Sequence, residues 1–144
     1  MKIIDYRKKI KFKRRHRQFQ PTEIIIHHSW TRTVDAMIKA LRSKDCGTHY
    51  CIDRDGSVYY LTDESYRVAH CVNHNEHAIG IDIIRGSGQE ILPCQYDALN
   101  ELLIDIVDRY EFRCPVLHDN IIYYHRDLRA TECPGSIDDD KILF

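Results

Sequence analysis

Glu23-Ile24-Ile25-Ile26-His27-His28 is the stretch on which the reading of the fold turns. Three consecutive isoleucines read as a buried strand, with Gln20-Pro21-Thr22 as the break before it and Ser29-Trp30-Thr31 as the exit. Thr33 is a suitable N-cap for a helix to about Arg42, with Val34, Ile38 and Leu41 on one face. His49–Ile52 and Val58–Leu61 then bracket Asp53-Arg54-Asp55-Gly56-Ser57, a hairpin signal in which Asp-Gly supplies the positive-φ turn. Asp63 to His77 is polar and His-rich and reads as a long loop over a site. Ala78–Ile84 is a second apolar strand, interrupted by Gly80 and Asp82. Pro93 opens a helix to about Tyr110 that buries Leu99, Leu102, Leu103, Ile106 and Val107. Ile121–Tyr124 is a short extended segment delivering His125. Strands and helices interleave, which predicts one α/β domain.

The chain has 144 residues, 43% of them hydrophobic and 10% aromatic, enough for one sizeable core. Its net charge of -1 hides a split, because residues 1–20 hold nine Lys/Arg against only Asp5. The expected organisation is therefore a basic N-terminal arm over 1–20 and an acidic domain over 21–144. Within the arm, residues 7–17 form a charge run with no core-facing stripe, read as extended or loosely docked. Such a run attracts polyanions, and equally reads as a solvated tail. No run approaches the roughly 18 apolar residues of a membrane span. No apolar stretch follows the first basic residues, so no secretory signal peptide is expected. Six cysteines in such a chain are expected to be reduced, with a Cys46–Cys51 pair left open.

Near the C-terminus, His125-Arg126-Asp127-Leu128-Arg129-Ala130-Thr131-Glu132-Cys133-Pro134-Gly135 sets an imidazole and a thiol eight positions apart. Nitrogen and thiolate together suit Zn²⁺, and one His with one Cys is half of a tetrahedral site. The third ligand is expected from His27-His28. Neighbours on a strand point to opposite faces, so the two do not easily share a metal, and the period alone does not choose between them. Three protein ligands and one open position describe a catalytic zinc.

These blocks, in the order I-I-I-H-H-S, T-H-Y-C-I-D-R-D-G, A-H, N-E-H-A-I-G-I-D and H-R-D-L-R-A-T-E-C-P-G, resemble the zinc-dependent N-acetylmuramoyl-L-alanine amidases. That family includes amidase-type phage lysozymes and animal peptidoglycan-recognition proteins. The resemblance implies a central mixed sheet flanked by helices, with Zn²⁺ held by His27, His125 and Cys133. It implies a substrate contact at His70, while His49 reads as structural. In phage lysozymes and catalytic recognition proteins a Tyr assists the zinc. Alignment on Arg54-Asp55-Gly56 places Thr48 there, and Tyr50 substitutes only if the register slips. In cell-wall recycling amidases a Glu in I-G-I-E does this work, and the matching residue is Asp82, expected as general base unless an Arg pairs with it. Thr131 matches a Lys or Thr of catalytic members and is expected to donate to the oxyanion.

The implied activity is hydrolysis of the amide between N-acetylmuramic acid and L-Ala of peptidoglycan, as in a phage or prophage endolysin held in the host cytoplasm until release. A monomer is expected, and an anionic envelope polymer is the expected partner of residues 7–17. That run carries no nucleic-acid motif. The competing reading is a recognition module that binds peptidoglycan without cleaving it.

Overall fold

A computed structural model describes residues 1–144. The chain runs β1 (Ile3–Asp5), β2 (Arg14–His16), β3 (Glu23–His28), α1 (Val34–Ser43), β4 (Tyr50–Ile52), β5 (Val58–Tyr60), β6 (Tyr66–Val68), β7 (Ala78–Ile83), α2 (Pro93–Arg109), β8 (Ile122–Tyr124), α3 (His125–Leu128) and a 3-10 turn at Asp139–Lys141. Six strands form one mixed sheet in the order β1-β5-β4-β7-β3-β8, and β2 pairs with β6 in a separate two-stranded ribbon. The three interior contacts β4–β7, β7–β3 and β3–β8 are parallel, and β4–β5 is the antiparallel hairpin.

β3 lies between two parallel neighbours, and Ile24, Ile25 and Ile26 are all fully buried. A strand covered on both faces has no reason to alternate, which is why the isoleucines run consecutively. The even positions Ile24 and Ile26 join Tyr50, Ile52, Ile79, Ile81 and Ile83 against Leu99, Leu102, Leu103 and Ile106 of α2. The opposite face carries Cys51 and, beyond β7, Ile84 against Met37 and Ile38 of α1. Thr33 caps α1 through Oγ1, which accepts from Ala36 N at 3.1 Å. Full burial of each such aliphatic side chain contributes about 1.5–3 kcal/mol.

The basic arm departs from its expected loose docking. β1 adds a parallel strand to the sheet at β5, and Arg14–His16 zip antiparallel to Tyr66–Val68. Phe12 is 3% exposed and packs on Gly47, where an added Cβ would stand 2.7 Å from Phe12 Cβ. Arg17 donates to the carbonyls of Glu64, Asn75, Glu76 and Ala78, which fastens the long polar segment 63–77 to the body. One inward aromatic and one many-handed guanidinium outweigh the solvation of the surrounding charges. That segment is itself not wholly loop, since it supplies β6.

No helix is long and apolar enough to cross a membrane. All six cysteines are free thiols.

Candidate active site

Residue parity decides what faces the site. His27 follows Ile25 on the side of β3 turned away from α2, and its register partner on β7 is Asp82. Registered residues of parallel strands project to the same side, so the imidazole and the carboxylate share one face of the sheet. His28 takes the other parity. Its Nδ1 faces Arg85 Nη1 at 3.2 Å, while its backbone N–H donates to Cys133 Sγ at 3.3 Å.

β8 pairs in parallel with β3 and ends where α3 begins, so His125 is delivered to the same end of the sheet as His27. α3 is a single turn. The Asp127 carboxylate accepts from Tyr124 N at 2.8 Å and lies 2.6 Å from His118 Nδ1, which holds the turn in place. Cys133 returns on an irregular loop. Arg126 N donates to Cys133 O at 2.9 Å, and the Arg126 guanidinium reaches the Glu132 and Gly135 carbonyls. Gly135 has φ +76, and a Cβ there would collide with Arg85 and His28. Arg85 and Arg126, which the sequence did not single out as site residues, are therefore what aims the thiol. Arg126 has only its place beside His125 as a sequence signal, and Arg85 has none.

His27, His125 and Cys133 converge, with one ligand atom from each lying within 4.8 Å of the others, and no fourth His, Cys, Asp or Glu completes the group. His27 Nδ1 and His125 Nδ1 are 3.2 Å apart, and Cys133 Sγ is 3.9 Å from His27 Nδ1. Two nitrogens bound to one tetrahedral zinc stand about 3.3 Å apart, and a nitrogen and a thiolate about 3.6 Å. The two nitrogens match that spacing, and the sulfur is a few tenths of an ångström wide of it on the His27 side. The donor set and its geometry fit zinc.

Burial pushes the His27 imidazole down to about 3, with His125 and His28 adding to the effect. Burial also lowers His125, so both rings keep the lone pairs a metal requires. The Cys133 thiol is pushed up to about 12 by burial, and a dication is what would ionise it.

The three residues line a cleft of about 300 Å³ together with Asp82, Thr131, His70 and residues of α1. Asp82 is 5% exposed, and no Arg or other cation pairs with it. Burial alone raises its carboxyl to about 7. The structural ion pair that would have explained this residue is absent. Thr131 Oγ1 accepts from Cys133 N at 3.2 Å, which leaves its O–H free for another acceptor.

The Tyr50 alternative closes. Tyr50 is on the α2 side of the sheet, 3% exposed, with its hydroxyl donating to Glu64 Oε2 at 2.9 Å. It cannot serve the cleft, because strand parity commits it to the opposite core. His70 lines the cleft, with Nδ1 2.9 Å from His27 Nε2 and Nε2 buried. Thr48 is fully buried and bonds to the Tyr50 carbonyl at 3.3 Å. His49 is structural, accepting from Gly80 N at 3.0 Å with its other nitrogen 2.7 Å from Tyr66 O.

Comparison with known proteins agrees with this geometry. Residues 17–136 match the family model described as N-acetylmuramoyl-L-alanine amidase. Peptidoglycan-recognition protein SC2 of Drosophila melanogaster is 33% identical over 93 residues, covering 64% of this chain and 48% of that protein. The chain thus spans about half the length of that relative. An endolysin of Klebsiella phage KP32 is 24% identical over 141 residues, covering 88% of this chain and 87% of its own length. The solved structure of N-acetylmuramoyl-L-alanine amidase LysC from Clostridium intestinale URNW superposes with a TM-score of 0.77 at 24% identity, covering 94% of this chain and 89% of that one. The mixed sheet, the flanking helices and the family match over most of the length place this chain in the N-acetylmuramoyl-L-alanine amidase family.

Proposed function

We propose that the protein is a zinc-dependent amidase that cleaves the bond between N-acetylmuramic acid and L-Ala of peptidoglycan, as a phage or prophage endolysin. The observation that carries the reading is an N,N,S ligand set beside a buried carboxylate that nothing in the protein neutralises. His27 Nδ1, His125 Nδ1 and Cys133 Sγ would hold the ion. Bound there, zinc would polarise the scissile carbonyl and lower the pKa of a water.

The side chains supply the rest. Asp82 takes the proton of the attacking water and passes it to the departing amine nitrogen. Burial raises the Asp82 carboxyl and a neighbouring dication would draw it back down, so it would be ionised to accept the proton. The Thr131 hydroxyl donates to the carbonyl oxygen as it gains charge. A neutral donor stabilises that oxygen less than an ammonium would. The carbon edge of His70 packs against the substrate at the cleft wall. His28 N–H and the Arg126 contacts keep the sulfur oriented.

Residues 7–17 are assigned an anionic envelope polymer. Lys13 and Arg15 are exposed on the ribbon and have no acidic partner within salt-bridge distance. The protein acts as a monomer and stays in the host cytoplasm until it is released to the wall.

The test is a muropeptide digest followed by mass spectrometry. New L-Ala amino termini, lost with a chelator and restored by zinc, support the reading. Thr48 at the place of the family Tyr favours the second reading, a recognition module. Retention of peptidoglycan without any cleavage by the zinc-loaded protein would decide for that module.

A further inference from the structure

His27 has two ring nitrogens, and only Nδ1 faces His125 and Cys133. Its Nε2 points away and meets His70 Nδ1 at 2.9 Å, the two rings standing edge to face at 81°. Resting on the zinc reading above, we propose that His70 is a positioning residue: it accepts the Nε2–H of His27, and thereby fixes the tautomer and the rotation of that metal ligand.

The seat of His70 is built for this contact. The ring lies flat on the β7 backbone at Gly80, where a Cβ would stand 3.0 Å from Nδ1 and 3.1 Å from Cγ. A Cβ at Gly80 would require the ring to give by a few tenths of an ångström. The His70 and Cys71 backbone N–H groups both donate to Asn75 Oδ1, at 2.9 and 2.8 Å, which closes the turn that presents the ring. His49 backs it, with ring centroids 6.0 Å apart.

The other nitrogen strengthens the argument. His70 Nε2 is buried beside the Ala78 carbonyl, which accepts from Arg17 at 2.6 Å, and has no well-formed hydrogen bond of its own. A buried polar atom without a partner is costly, and an apolar ring would fill the same space without that cost. Packing therefore does not account for a histidine. Its Nδ1 does.

The proton count is then determined. A neutral His27 with Nδ1 on the metal carries its hydrogen on Nε2 and donates it. His70 receives with Nδ1 and keeps its own hydrogen on Nε2. Metal-bound histidines usually donate to a carboxylate, a carbonyl or water. A neutral ring in that place orients His27 without adding negative charge, so Asp82 remains the one carboxylate facing the cleft.

Zinc affinity measured by competition with a chromophoric chelator tests the idea, alongside ¹H–¹⁵N imidazole spectra of the zinc-loaded wild type. His70→Leu should weaken zinc binding by about 10–100-fold. His70→Asn, whose Oδ1 can accept where Nδ1 did, should recover most of it, which a purely space-filling role would not predict. The spectra should show His70 protonated on Nε2 and bare on Nδ1. Unchanged affinity in His70→Leu, or a proton on His70 Nδ1, overturns the proposal. If His70→Leu does not fold, the tautomer of the wild type decides alone. A wild type that takes up no zinc overturns the metal reading together with this one, whereas zinc uptake indifferent to His70 overturns this one only.

Discussion

His27 and Asp82 are register partners on β3 and β7, so the proposed ligand imidazole and an unpaired carboxylate stand side by side on one face of the sheet. Neither can turn away without breaking strand pairing. The pairing of two parallel strands, rather than any loop, thus places the proposed base beside the proposed metal.

Asp82→Asn keeps the shape of that position and removes the proton acceptor. The variant should bind zinc as the wild type does and lose about 10²–10⁴-fold in kcat. Muropeptide turnover with zinc content measured on the same sample checks this. Full activity would remove Asp82 from the mechanism.

The same carboxyl makes metal-free stability depend on pH. Folded, Asp82 titrates at about 7, against an ordinary 3.8. Between those values the folded state holds a proton on Asp82 that the unfolded chain releases, so the contribution of this one group falls as pH rises from about 4 to 7 and is level above. The loss reaches up to about 4 kcal/mol. Burial holds His27, His28 and His49 low, and they contribute the opposite slope below about 6.5. The Asp82 share is therefore read as the difference between urea melts of chelated wild type and chelated Asp82→Asn. That difference should grow from about pH 4 to 7 and leave Asp82→Asn the more stable protein at about pH 8.

Cys133→Ser should abolish stoichiometric zinc and hydrolysis together while the fold survives. The thiol is half-buried and packs on a loop that Arg85 and Arg126 hold independently. Native mass spectrometry and far-UV circular dichroism separate the two effects.

Thr131→Val removes the free O–H and should lower kcat by about 10²-fold, the small end of the range for an oxyanion donor. Thr131→Ser should restore most of it. A loss of zinc in Thr131→Val in step with the loss of kcat would assign Thr131 to loop geometry, through its bond from Cys133 N.

The docked arm gives a stability test. Phe12→Ala should cost about 3–5 kcal/mol in denaturant melts, because a buried ring is lost beside a glycine that cannot fill the space. Lys13→Gln with Arg15→Gln should leave stability within about 0.5 kcal/mol. It should spare hydrolysis of soluble muropeptide and weaken action on whole envelopes at low salt, where exposed charges act furthest.

The chain determined locally whatever depends on neighbours in sequence. Consecutive isoleucines set β3, Thr33 started α1, Asp55-Gly56 turned the β4–β5 hairpin, and spacing marked α2. Hydrophobic period and turn chemistry act over a few residues, so they are readable without partners. The ordered blocks also nominated His27, His125 and Cys133, which the fold gathers. Tertiary structure alone decided the rest. Strand pairing put Tyr50 in the opposite core and left Asp82 without a counter-ion. Long-range contacts turned a charged arm into two strands and set His70 against His27 rather than leaving its nitrogens to a substrate. Those outcomes depend on which residues meet across tens of positions, and no local pattern encodes that.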